Sequence, residues 1–135
     1  MSSPILIVPA CAKGQGGGHL NRSLILKRRL EEEGRDVFLW IGEAQKEDVF
    51  GRFSYLYKSS DSRIISNKEE LSGRKWENII LDNFKTSRRE FDFWAGLKNS
   101  GLNESGSARL IGIDEGGPRR KRFDFLIICP SFLAF

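Results

Sequence analysis

Short apolar runs alternate along the chain with segments in which apolar residues recur at helical spacing. The first run, residues 5–8, is rich in β-branched side chains and has no polar position, which is typical of a strand covered on both faces. Glycines interrupt the chain between residues 14 and 18. Residues 20–30 then show helical periodicity, and Gly34 provides a stop signal. The pattern predicts a strand, a glycine-rich loop and a helix, in that order.

The same alternation continues along the rest of the sequence. It predicts strands over residues 37–41, 78–81, 109–113 and 125–129, and helices over residues 43–50 and 87–99. In the second of these helices the spacing turns Phe91, Trp94 and Leu97 inward. Residues 52–74 are the least regular part, with a strand expected at either 55–58 or 63–66.

Strands that alternate with helices indicate an α/β fold. We expect one Rossmann-like domain over residues 1–135, with a doubly wound, mainly parallel sheet and helices on both faces. The length suits a single hydrophobic core.

Composition and charge narrow the classes of function. The net charge of +4 suits contact with phosphate but is too small to indicate a nucleic-acid-binding protein. Two basic clusters, residues 27–29 and 119–122, are interpreted as a solvated helix face and a basic loop. No segment has membrane-spanning length, and Cys11 and Cys129 are expected to be reduced thiols of a cytoplasmic protein. One histidine and two distant cysteines predict no metal site, and no cofactor is expected.

Three loops that follow predicted strands carry the candidate chemistry, because ligands of open α/β sheets bind beyond the carboxyl ends of the strands. The first contains Gly16, Gly17 and Gly18 and leads into a helix, an arrangement that suits a phosphate or a sugar diphosphate. It lacks the Gly-Lys-Ser/Thr of a P-loop, and His19 replaces the last glycine of a GxGxxG motif.

His19 is the only histidine, and it lies in the first turn of the predicted helix. There the helix dipole favours the neutral imidazole, which can act as a general base. The alternative is an exposed histidine without a chemical role. Arg22, on the same turn, is expected to pair with a phosphate, or with Glu43 or Asp82.

The other two loops begin with Asp82-Asn83 and with Asp114. Their acidic side chains are candidates for contact with sugar hydroxyls. Capping of the helix that follows each strand is the structural alternative.

The segment from Gly16 to Leu24, GGGHLNRSL, resembles the start of the UDP-sugar hydrolases of pseudaminic acid biosynthesis. It is similar also to their relatives in spore-coat polysaccharide synthesis and, more distantly, to N-acetylglucosaminyltransferases of the GT-B fold. The later segments around Asp82 and Asp114 follow in the order expected for that N-terminal domain.

The resemblance implies one half of a GT-B-type fold that acts on a UDP-sugar. In this interpretation His19 is the general base at the anomeric carbon, while a nucleoside diphosphate leaves. The residues implied in substrate binding are Gly16, Gly17, Gly18, Arg22, Asp82, Asn83 and Asp114.

Proteins of that type have a second Rossmann-like domain, which supplies most nucleotide contacts, and no part of this sequence corresponds to it. We therefore expect either that this chain is a fragment or a truncated gene product, or that another chain, a different protein or a second copy, provides the missing half. Hydrolysis and transfer to an acceptor both remain open. Two other classes also remain: a non-catalytic nucleotide- or phosphate-binding module, and an interaction domain that exposes apolar residues such as those at 132–135.

Overall fold

The fold is a single parallel sheet with helices on both sides. The computed structural model describes residues 4–10, 18–53, 63–83, 85–100 and 108–128. Its strands are β1 (Ile5–Pro9), β2 (Val37–Trp40), β3 (Ile64–Ile65), β4 (Asn78–Asp82), β5 (Arg109–Ile113) and β6 (Phe125–Ile127). Its α-helices are α1 (Gly18–Glu32), α2 (Glu43–Phe53), α3 (Lys68–Ser72) and α4 (Arg88–Ser100), and Arg120–Arg122 form a 3₁₀ helix.

The six strands are all parallel and lie in the order β3-β2-β1-β4-β5-β6. Strands β2 and β3 therefore extend the sheet on one side of β1, and β4, β5 and β6 extend it on the other side. Ile7 of β1 lies beside Leu39 of β2 and beside Ile80 of β4. The order reverses between β1 and β4, which creates a crevice at their carboxyl ends. This confirms the Rossmann-like α/β fold expected from the sequence.

Successive strand residues point to opposite faces, so each inner strand supplies two cores. In β1, Ile5 and Ile7 face α1 and α2, whereas Leu6 and Val8 face the side of α3 and α4. We refer to these sides as the α1 face and the α4 face. All positions of β1 are buried except the half-buried Val8, as expected for a strand covered on both faces.

Helix ends follow local signals. Gly34 has a φ of +82°, and its N–H donates to the carbonyl of Glu31, so α1 ends as predicted. At the start of α4, Ser87 Oγ accepts from the Glu90 N–H at 3.1 Å, and the Ser87 N–H donates to the Glu90 carboxylate at 3.2 Å. This reciprocal pair is a capping box. The inward residues predicted for α4, Phe91, Trp94 and Leu97, are all buried.

The least regular part of the sequence contains two short elements. The strand expected at 63–66 exists as the two residues of β3, whereas the alternative at 55–58 lies outside the described residues. α3 was not predicted, because five residues are too few for a helical periodicity. Asn67 caps its start, because the Asn67 side chain accepts from the Glu70 N–H at 2.9 Å.

One expectation is partly wrong. Lys27 was assigned to a solvated helix face, yet it is buried and donates to Glu31 at 3.1 Å. A lysine can bury its alkyl chain while its ammonium stays paired, here with Glu31 one turn further along α1. Arg28 and Arg29 are exposed as expected.

The edge strand β6 is shorter than predicted and differs from the inner strands in burial. Residue 129, the last of the predicted strand, lies outside the described residues. Phe125, Leu126, Ile127 and Ile128 are all exposed, Ile128 by 77%. Side chains on both sides of this strand are therefore exposed. None of the described helices has the length and apolar character needed to cross a membrane.

Candidate functional site

The candidate site lies at the carboxyl ends of β1 and β4, where the strand order reverses. β4 ends at Asp82, two residues after Ile80, so the Asp82 side chain projects toward the α1 face. α1 begins at Gly18 and is the next described element after β1. The first turns of α1 therefore lie opposite the end of β4, and three side chains of α1 contact Asp82.

Asp82 is the centre of this contact and is completely buried. One carboxylate oxygen, Oδ1, accepts from His19 Nδ1 at 2.9 Å and also from Arg22 Nη2. The other, Oδ2, accepts from Arg22 Nε at 3.0 Å and from Ser23 Oγ at 3.2 Å. A buried carboxylate is costly unless it is paired and hydrogen-bonded. Here both oxygens are fully used, so Asp82 is placed to hold other side chains in position.

His19 is oriented by this carboxylate. An ionised carboxylate only accepts hydrogen bonds, so Nδ1 carries the proton that it donates to Asp82. In the neutral ring, Nε2 is then the basic nitrogen. The His19 side chain is 25% exposed, and Nε2 has no hydrogen-bond partner within the described part of the chain. The pair therefore presents one defined imidazole nitrogen outward.

Arg22 joins Asp82 to a third loop. Its Nη1 donates to Asp114 Oδ2 at 2.7 Å, while Nε and Nη2 bind Asp82. The hydrogen bond to Asp82 raises the pKa of Arg22 above its ordinary value; burial opposes this rise, and the bond to Asp114 adds to it. Of the partners considered for Arg22, the structure shows Asp82, together with Asp114.

Asp114 has an unusual backbone. Its φ of +54° is the one positive value among the described non-glycine residues, and its N–H donates to the Ile127 carbonyl at 2.8 Å. A non-glycine residue in this region costs about 1 kcal/mol or more, and such residues cluster at functional sites. The left-handed turn directs the Asp114 carboxylate back toward Arg22 as the chain leaves β5.

The other predicted site residues make none of these contacts within the described part of the chain. Asn83 belongs to the α4 face, where its amide lies 3.5 Å from Glu90 and lines a small cavity of about 20 Å³ beside Trp94. Gly18 opens α1 and has open space around it. Gly16 and Gly17 lie outside the described residues. The roles of these four residues in substrate binding stay predictions.

Two features of the site escaped the sequence interpretation. Ser23 could have been found, because it lies one turn after His19 on the same side of α1. The second feature is the buried Glu115, which accepts from the Thr86 N–H at 2.9 Å, the Thr86 hydroxyl at 2.6 Å and the Gly117 N–H at 3.2 Å. It ties the loop after β4 to the loop after β5. Thr86 and Glu115 are 29 positions apart, so no local pattern reveals this link.

Comparisons with protein-family models, with curated proteins and with solved structures found no match. Across the described residues there is also no group of three or more histidine, cysteine or acidic side chains that could hold a metal ion. What the site offers chemically is an oriented imidazole, a buried carboxylate that holds it, and a fixed guanidinium.

Proposed function

We propose that this protein processes a nucleotide-activated sugar, with His19 as the general base. The observation that carries the proposal is the 2.9 Å contact between His19 Nδ1 and the buried Asp82 at the reversal of strand order. Ligands of this fold class bind at that position. A histidine held by a buried carboxylate is also the usual arrangement of a general base and its orienting partner.

In the proposed reaction, Nε2 of His19 takes a proton from water or from an acceptor hydroxyl. The oxygen attacks the anomeric carbon, and the bond from that carbon to the diphosphate oxygen breaks. The nucleoside diphosphate leaves with the bonding electron pair. The Asp82 carboxylate then stabilises the imidazolium, and Arg22 and Ser23 keep Asp82 in place.

The single histidine provides a direct test of binding, because its ring signals in an NMR spectrum need no assignment. Addition of UDP or a UDP-sugar is expected to shift the His19 Hε1 and Nε2 resonances. UDP-sugars that leave both resonances unchanged at millimolar concentration would overturn the proposal.

Catalysis is tested with His19→Gln. We expect UDP release from the UDP-sugar that perturbs His19 to fall by about 10²- to 10⁴-fold, the usual contribution of a positioned base. UDP binding should be retained. Asn21→Ala, a change at an exposed position of the same turn, serves as the control and should retain activity. Equal activity in wild type and His19→Gln would show that His19 is not the base.

If residues 1–135 alone bind UDP-sugars but do not cleave them, cleavage needs residues beyond those of this sequence. The exposed apolar strand β6 also favours a second candidate, an interaction domain whose sheet edge pairs with a partner. Sedimentation at increasing concentration tests self-association. Ile127→Lys should abolish any concentration dependence that arises from β6, and a concentration-independent monomer would exclude a second copy as the partner.

A further inference from the structure

A dense group of cations lies beside the candidate site, on two segments that follow β4 and β5. We refer to it as the basic surface. It consists of Lys85, Arg88, Arg89, Arg119, Arg120, Lys121 and Arg122. All are exposed except Arg119, which is half-buried.

The two segments form one surface because they are tied together. Glu115 binds Thr86, which follows Lys85 in the chain, with three hydrogen bonds. A Cβ placed on Gly117 would lie 2.9 Å from Cγ of Lys85, so the two loops touch. Further along, Arg88 and Arg122 both lie near Asp92, at 3.8 and 3.9 Å.

The charge of this surface is almost uncompensated. Five of its seven side chains (those other than Arg88 and Arg122) have no hydrogen bond, ion pair or ring contact in the described residues. Arg88 and Arg122 share one acidic partner, Asp92, at distances too long for good ion pairs. By contrast, Arg22, Arg35 and Lys98 each contact a carboxylate at 3.3 Å or less.

Helix stability does not explain these cations. Arg88 and Arg89 occupy the first turn of α4, where the positive end of the helix dipole repels them. The capping box of Ser87 and Glu90 already satisfies that helix end. Arg89, which opposes the local field and has no side-chain partner in the described residues, is therefore a candidate for binding an external anion.

The candidate site needs such an anion-binding group. The positive charge of Arg22 is already paired with two carboxylates, those of Asp82 and Asp114. A diphosphate bound there would therefore need positive charge from elsewhere. The basic surface adjoins the site, because Glu115 and Gly117, one and three residues after Asp114, contact the loop after β4.

We propose that the basic surface is a diphosphate subsite in which Lys85 and Arg119 bind the phosphates of the nucleotide sugar. This assignment rests on the proposed function. Seven cations exceed the charge of one diphosphate, so the remaining five act by raising the local concentration of anions and the rate of association. Glu115 holds the two loops at a fixed separation, which reduces the entropy lost on binding.

The test uses inorganic pyrophosphate and UDP as probes, titrated by calorimetry into the full chain. Lys85→Gln/Arg119→Gln is expected to weaken pyrophosphate binding at least tenfold, because two charge-assisted hydrogen bonds are lost. Arg28→Gln/Arg29→Gln removes the same charge from exposed positions of α1 and is the matched control, expected within about twofold of wild type. Thermal unfolding of both variants checks that the fold is unchanged.

The outcomes separate this inference from the proposed function. If UDP-sugars perturb His19 but both double variants bind pyrophosphate and UDP as wild type does, the subsite is refuted and the proposed function stands. If pyrophosphate binding depends on Lys85 and Arg119 but His19 never responds, the phosphate site stands and the nucleotide sugar is refuted. No pyrophosphate binding by wild type, or tight binding only of single-stranded DNA or heparin, would overturn the subsite.

Discussion

Two groups of charged residues lie at the same edge of the sheet, one on the α1 face and one on the loops toward the α4 face. In the first, Arg22 lies between Asp82 and Asp114, and each charge has a partner within 3.0 Å. In the second, most of the lysine and arginine side chains have no partner among the described residues. The first group is buried or half-buried, whereas the second is mostly exposed.

The two groups differ in function: the paired charges hold neighbouring side chains in position, whereas the unpaired charges can bind a ligand. A buried charge must be paired, so its geometry is fixed and it can orient a neighbour such as His19. An exposed cation without a partner has little effect on the stability of the fold and remains able to contact an external anion. Removal of a charge should therefore lower the free energy of unfolding substantially in the first group and change it little in the second.

The largest effect is expected at Asp82. Asp82→Ala removes four hydrogen bonds and leaves Arg22 with only Asp114 as a carboxylate partner, which should lower the free energy of unfolding by about 3 kcal/mol. Urea denaturation measures this loss. Ser23→Ala, which removes one of the four bonds, should cost about 1 kcal/mol. A loss below 1 kcal/mol in Asp82→Ala would show that the network does not stabilise the fold.

A smaller loss, about 2 kcal/mol, is expected for Glu115→Ala, because the buried Thr86 N–H and Gly117 N–H lose their acceptor. Pyrophosphate affinity should fall as well, since the two loops are no longer tied. Glu115→Gln keeps one acceptor oxygen and should lose less by both measurements. Unchanged affinity in a destabilised Glu115→Ala would separate the tie from ligand binding.

The pH dependence of stability at Asp124 tests the contribution of a paired but partly exposed charge. Burial would raise its pKa, but the Leu110 N–H at 2.7 Å and the Lys98 ammonium outweigh burial and lower it. A lowered pKa stabilises the fold above the unfolded value of about 3.9, and this contribution is lost as pH falls through the folded value. The stability difference between wild type and Asp124→Asn should therefore shrink between pH 5 and pH 3. A constant difference would contradict the assignment.

The smallest effects are expected in the basic surface. Arg89→Gln removes a cation from the positive end of α4 and should raise the free energy of unfolding by about 0.3 kcal/mol. Lys121→Gln should change it by less than about 0.5 kcal/mol. Urea denaturation at low salt measures both. A loss above 1 kcal/mol in either variant would reveal an internal role and weaken the proposed contrast.

The sequence predicted most elements because their signals are local. The unbroken apolar run of β1 requires burial on both faces, and Gly34 marks the end of α1 with a positive φ. It missed α3 and left β3 open, because elements of five and two residues are shorter than the periodicity that identifies them. The burial of Lys27 was missed because a long polar side chain carries no pattern that distinguishes burial from exposure.

For the site, a parallel sheet necessarily brings the carboxyl ends of β1, β4 and β5 to one edge. The residue types near those ends then identified the candidates His19, Arg22, Asp82 and Asp114. The contacts between them were not predictable in the same way. They join positions 60 to 92 residues apart, so they depend on helix packing and strand register.

The sequence by itself determined that strands and helices alternate, that polar residues follow the strands, and that one histidine begins a helix behind glycines. The tertiary structure decided that Asp82 faces α1 while Asn83 faces α4, because neighbouring residues of a strand point to opposite sides of the sheet. It also decided which charges are paired. A charge pair forms only where packing brings two distant segments together, and no local pattern records that.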